Sequence, residues 1–133
     1  MSAANRLAST CLCLAGLNGF IAVAAGAYGR HAVSEAYPRE IMAIASHYQL
    51  AHALALLALA WLAAERDARW LSAVGFATAA FSLGILLFSG TLYALALSSD
   101  LPAVGTAPAG GFLLMAGWLT LVWIGGRALL QRR

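Results

Sequence analysis

Within one short stretch, His47-Tyr48-Gln49-Leu50-Ala51-His52, the chain places two imidazoles, a phenol and a carboxamide. The stretch lies inside a hydrophobic run from about 41 to 64. Such a run is long enough to cross a bilayer, for which roughly 20 apolar residues suffice. Imidazoles offer proton transfer or metal ligation, and the phenol and amide offer hydrogen bonds to a ligand or to another helix. In hydrocarbon each of these groups is costly unless it finds a partner. The other spans must therefore supply the partners.

At 100° per residue, Tyr48, Gln49 and His52 share a face of the second span with Ile41, Ala45, Leu56 and Leu59. His47 points about 140° away from His52 and sits only about 9 Å from the start of the span. The two histidines are not a pair. The expected partners of His52 are Asn18, near the middle of the first span, and Ser82 or Ser89, which share a stripe of the third span with Gly75, Thr78 and Tyr93. Tyr48 and Tyr93 lie nearer the outer face, beneath the loop expected to carry His31. The candidate site is thus a polar seam of His31, Tyr48, Gln49, His52, Asn18, Ser82, Ser89 and Tyr93. It is either a sealed hydrogen-bond network or a small ligand pocket, and the tendency of buried polar groups in membranes to satisfy one another favours the network. With no Asp or Glu inside a span to hold an imidazolium, His52 is expected as a neutral ring with one donor and one acceptor.

Several chemistries fit poorly. A structural zinc site wants four ligands, and His31, His47 and His52 are the only histidines, so no metal, haem or other cofactor is expected. A proton-coupled transporter would want an acidic residue in a span. A serine hydrolase would want a nucleophile elbow and an acid to orient the base. Cys11 and Cys13 stand two apart, point in different directions on a helix, and read as small packing residues. The expectation is a protein that is not an enzyme.

The surrounding elements follow from composition. The 133 residues are 62% hydrophobic and 10% charged, against about 25% charged in soluble domains, so the bilayer must be the solvent. Four spans are expected, at about 7–27, 41–64, 71–97 and 110–126, in a single all-α membrane domain covering 1–133. The N-terminal run is too long for a signal peptide and reads as a retained span. In the first span Cys11, Ala15, Asn18, Ala22, Ala25 and Gly29 form a stripe of small residues around one amide, suited to close helix approach. In the fourth, Gly111, Leu114, Trp118, Leu121 and Gly125 share a face. Trp61 and Trp70 flank a short charged loop, as interfacial tryptophans do. Polar loops are expected at 28–40, with Pro38 and Glu40 in the first turn of the next helix, and at 98–109, with Asp100 and Pro102. Arg6, Arg66, Arg69, Arg127, Arg132 and Arg133 fall on one side of the membrane, and Arg30 and Arg39 on the other. This excess places both termini and the central loop in the cytoplasm. The arginines are scattered rather than gathered on one face, which excludes a nucleic-acid footprint.

Four segments occur in an order that resembles a known family. They are Gly26-Ala27-Tyr28-Gly29-Arg30-His31; Tyr48-Gln49-x-x-His52 followed by Ala53-Leu54-Ala55; Phe88-Ser89-Gly90-Thr91-Leu92-Tyr93 with Leu95-Ala96-Leu97; and Pro108-Ala109-Gly110-Gly111 with Ala116-Gly117-Trp118. Over about residues 16–120 the chain resembles the YgdD-like four-span membrane proteins (domain of unknown function 423), a family related to human transmembrane protein 256. The resemblance singles out Gly26, His31, Tyr48, Gln49, His52, Ser89, Gly90, Tyr93, Pro108, Gly110 and Gly111, and passes over His47. Where the family carries Thr before the proline, this chain has Ala107. The resemblance implies four spans in the inner membrane and no particular reaction.

Two functional classes stay open. One is a non-enzymatic, multi-pass inner-membrane protein acting through contacts with other membrane proteins, further copies of itself or lipids. The alternative is a small-molecule carrier or ligand-binding protein using the seam around His52.

Overall fold

Long runs of Ala, Leu and other good helix formers, in a solvent that cannot hydrogen-bond a free backbone, give one kind of element. The computed structural model of the chain describes residues 1–65, 68–98 and 105–131, and among these it is all-helical. The helices are α1 (Ala3–His31), α2 (Ala36–Glu65), α3 (Leu71–Ser98) and α4 (Thr106–Leu130), with a 3-10 turn at Ala68–Trp70 leading into α3. All four are long and apolar enough to cross a membrane. Arg66, Asp100, Pro102, Arg132 and Arg133 lie outside the described residues.

Each end has a local cause. Ser2 caps α1, its hydroxyl accepting from the backbone N–H of Asn5 at 3.1 Å, which satisfies one of the free donors of the first turn. Between α1 and α2 the turn is much shorter than the polar loop expected. His31 is the last residue of α1, and Glu40 lies beyond the first turn of α2. Arg39 tightens this turn by donating from Nε to the Val33 carbonyl and from Nη2 to the Ser34 carbonyl, both at 2.9 Å. Before α4, Gly105 adopts φ 97°, a left-handed conformation open to glycine and strained for most other residues. Helix α4 then starts at Thr106, so 106–109 are helical rather than loop.

The chain packs in sequence order. Helix α1 lies on α2, α2 on α3 and α3 on α4, and α1 touches α3 only slightly. Thus α2 and α3 form the centre, while α1 and α4 turn most of their surface outward. Because lipid is as apolar as Leu, such packing relies on close fit rather than hydrophobic transfer. The small stripe of α1 is its buried face, with Cys11, Ala15, Ala22 and Gly29 buried. The face of α4 differs from the one expected. Gly110, Leu114, Gly117 and Ile124 are buried, whereas Gly125 is exposed. The cause is backbone proximity: a Cβ on Gly110 would stand 2.5 Å from the Phe88 nitrogen and 2.9 Å from the Leu87 carbonyl carbon. A Cβ on Gly117 would meet the Phe81 ring at 2.5 Å. Trp70 is a core residue, 5% exposed, set edge-on to Trp123 with centroids 5.8 Å apart; Trp61 is the exposed one.

Candidate functional site

Because α2 is central, its polar residues reach every other helix. Gln49 is buried and lies between α1 and α3. Its Nε2 donates to Asn18 Oδ1 at 3.0 Å, and its Oε1 accepts from the Tyr93 hydroxyl at 2.8 Å. Asn18 Nδ2 in turn donates to the Leu14 carbonyl at 2.8 Å. The result is a directed chain from Tyr93 through Gln49 and Asn18 to a helix carbonyl. Each bond polarises the next.

His52 stands one turn deeper on the same face and serves α4 instead. Its Nε2 lies 3.1 Å from the indole nitrogen of Trp118, and its Nδ1 lies 2.6 Å from the Tyr48 carbonyl. An indole N–H only donates and a carbonyl only accepts. These partners therefore select the neutral tautomer with the proton on Nδ1. Phe81 and Trp118 enclose the imidazole, with ring centroids at 5.5 and 6.0 Å. Two further polar contacts tie helices together. Thr78 donates to the Val74 carbonyl at 2.8 Å and takes the Cys11 thiol at 3.2 Å. Thr91 donates to the Thr106 hydroxyl at 2.9 Å.

Such an arrangement is better suited to holding helices than to reacting. His52 is engaged at both nitrogens, and acting as a base would break its bond to α4. Among the described residues, no three His, Cys, Asp or Glu side chains gather as a metal site needs.

The family described as "Protein of unknown function (DUF423)" matches residues 25–111. A UPF0382 membrane protein of Haemophilus influenzae is 38% identical over 115 residues, covering 84% of this chain and 90% of the relative. The UPF0382 inner membrane protein YgdD of Escherichia coli K12 is 36% identical over 114 residues, covering 84% and 85%. A UPF0382 membrane protein of Staphylococcus epidermidis is 35% identical over 112 residues, covering 82% and 88%. The chain belongs to the DUF423 family. It is a multi-pass protein of the inner membrane. No solved structure matches it.

Within this DUF423 bundle the expected seam divides. Asn18, Gln49 and Tyr93 come together as one network. His52 joins neither Asn18 nor the serines; its partners are Trp118 and the Tyr48 carbonyl. The oxygens of Ser82 and Ser89 are buried without a hydrogen-bond partner. Tyr48 does not close the seam outward. It is 47% exposed and packs its ring on Phe88 at 4.7 Å. His31 is exposed at the end of α1 and takes no part. The residue missed was Trp118. Helical phase puts it on a shared face of α4 without joining it to the seam, and the signal is its indole N–H, a donor that must find an acceptor in apolar surroundings.

Proposed function

We propose that this DUF423 protein is not an enzyme, and that it acts through its outward surfaces on lipids or other membrane proteins. The observation that carries this reading is the mutual satisfaction of Asn18, Gln49, Tyr93, His52 and Trp118, which leaves both nitrogens of His52 occupied. The same bonds count against a carrier working through that seam. Both termini are placed in the cytoplasm. The arginine excess supports this orientation, and so does Arg39, one of the two arginines on the other side, which is engaged by the turn it holds.

Nitrogen NMR of histidine-labelled protein at pH 7 tests the interior. The expected signal for His52 is the neutral form protonated at Nδ1. An imidazolium signal, or a signal that shifts when a small molecule is added, overturns the reading in favour of the carrier. Tag accessibility in spheroplasts tests orientation; a C-terminal tag reached from outside reverses it.

A further inference from the structure

On one side of the α1–α2 seam, two cavities lie one above the other. The upper, about 410 Å³, is lined by Gly26, Arg30, Arg39, Glu40, Ser46 and His47 among others. The lower, about 170 Å³, is apolar and is lined by Leu12, Gly16, Gly19, Leu50, Leu54 and others. At 100° per residue, Leu12, Gly16, Gly19, Val23, Gly26 and Arg30 stay within about 80° of one another on α1. Glu40, Ala43, His47, Leu50, Leu54 and Leu57 stay within about 100° on α2. The two cavities are therefore the ends of one groove, which glycines keep shallow-walled. A Cβ on Gly16 or Gly19 would meet nothing within 4 Å.

The groove's chemistry changes along its length. Its mouth holds Arg30, Glu40 and His47, all exposed and none in a hydrogen bond or ion pair. Arg39 stands beside them with Nε and Nη2 bound to carbonyls, which leaves Nη1 to a ligand. Below, the groove is hydrocarbon. At 1.5 Å per residue Gly19, Gly16 and Leu12 lie about 16, 21 and 27 Å from Arg30, so a chain headed at the mouth crosses the roughly 15 Å of hydrocarbon in one leaflet and enters the upper part of the trough. A helix about 10 Å across does not enter a trough of 170 Å³, but an acyl chain does. A free phosphate would use the mouth and leave the trough without purpose.

We propose that this groove holds one phospholipid with an ethanolamine-type headgroup, in the leaflet that contains the α1–α2 turn. Arg30 and the free nitrogen of Arg39 receive the phosphate as charge-assisted donors. Glu40 accepts from the ammonium, which a purely anionic headgroup lacks and a choline cannot match as a donor. His47 sits between mouth and trough, at the level of the ester linkages. One acyl chain lies along Gly26, Gly19 and Gly16. The proposal rests on the reading that this protein acts through its outward surfaces, and it names the lipid.

Native mass spectrometry of the full chain in mild detergent, titrated separately with phosphatidylethanolamine, phosphatidylglycerol and phosphatidylcholine, provides the test. The parent is expected to retain phosphatidylethanolamine about tenfold better than phosphatidylcholine, the worth of one hydrogen bond to a charged group. Arg30→Ala should weaken retention of all three. Glu40→Gln should remove the preference for ethanolamine and keep general binding. Neither side chain has an intramolecular partner, so both variants should unfold at the parent's temperature. Equal retention of the three lipids by the parent, a preference for phosphatidylglycerol, or an ethanolamine preference that survives Glu40→Gln overturns the proposal. Any of these alongside a neutral His52 leaves the broader functional reading standing. An imidazolium at His52 alongside an intact ethanolamine preference does the reverse.

Discussion

Helices α1 and α4 both flank the central pair, yet they are held differently. Helix α4 meets α3 backbone to backbone. A methyl on Gly110 would strike the Phe88 nitrogen at 2.5 Å, and one on Gly84 would reach Leu114 at 2.5 Å and the Gly110 carbonyl oxygen at 3.1 Å. Helix α1 meets α2 through small side chains and a hydrogen bond between amides, Gln49 to Asn18; Gly29 is pressed on the Met42 side chain, where a Cβ would stand 2.5 Å from Cγ, but the other glycines of α1 are open. Gly16 and Gly19 meet nothing, and at Gly26 the nearest atom is Ser46 Oγ at 3.4 Å. Small residues thus serve two ends in one bundle. On α4, and at Gly29 on α1, they permit contact, whereas Gly16, Gly19 and Gly26 on α1 keep a groove clear.

The largest effect should come from the tight side. Gly110→Ala places a methyl against main-chain atoms that cannot turn away, unlike a flexible side chain. Overpacking typically costs about 1–3 kcal/mol, and a backbone obstacle puts this site at roughly 3 kcal/mol or more. Thermal unfolding in detergent reads it. A variant as stable as the parent would mean that α3 and α4 are further apart than the structure places them.

On the other side, the hydrogen bond between the Gln49 and Asn18 amides matters most. Gln49→Leu removes one side chain but orphans two groups, Asn18 Oδ1 and the Tyr93 hydroxyl. Each unpaired buried group costs about 1–3 kcal/mol. The expected loss is about 2 kcal/mol, toward the lower end because Tyr93 and Asn18 are only part-buried and each can turn toward other partners. His47→Leu, at an exposed residue without a partner, is the control and should change stability little. Equal shifts for the two variants would remove the polar link from the account of α1.

How far the sequence reveals this depends on the interaction. The four helices are legible because bilayer-length apolar runs admit little else. The buried face of α1 is legible because Cys11, Ala15, Ala22 and Gly29 repeat at helical spacing on the same face as Asn18, the one amide within the apolar run. The phase of α4 is not, since Gly110 and Gly111 stand side by side and only the backbone of α3 decides which one is pressed. Helical phase puts Gln49 and His52 together, yet it does not say that they serve different helices. The partner of His52 depends on where the Trp118 indole lands, which tertiary packing fixes. Stripes of hydroxyls mislead in a similar way: Ser82 and Ser89 share the phase of Tyr93 without meeting an acceptor.

Ser89 converts that miss into a smaller prediction. Its side chain is 0% exposed and its oxygen has no hydrogen-bond partner. Removing an unsatisfied hydroxyl takes away a desolvation penalty, so Ser89→Ala should be neutral or stabilising by up to about 1 kcal/mol. A clear loss of stability in the same unfolding measurement would show that the hydroxyl holds a partner in the membrane.

The smallest effect is expected at Gly16, and it bears most directly on the difference between the flanking helices. Gly16 lies inside α1, where glycine is about 0.5–1 kcal/mol worse than alanine through the backbone freedom it loses on folding. A Cβ there meets no atom within 4 Å. Gly16→Ala should therefore be neutral or gain up to about 1 kcal/mol, opposite in sign to Gly110→Ala although the chemical change is the same. Gly16→Leu extends the test. It should leave unfolding nearly unchanged while its side chain fills the lower trough, cutting phospholipid retention without touching Arg30 or Glu40. If Gly16→Ala instead destabilises the protein by more than about 1 kcal/mol, the overpacking range, then α1 closes on α2 as tightly as α4 closes on α3. The groove would then be gone, and with it the distinction between the two helices.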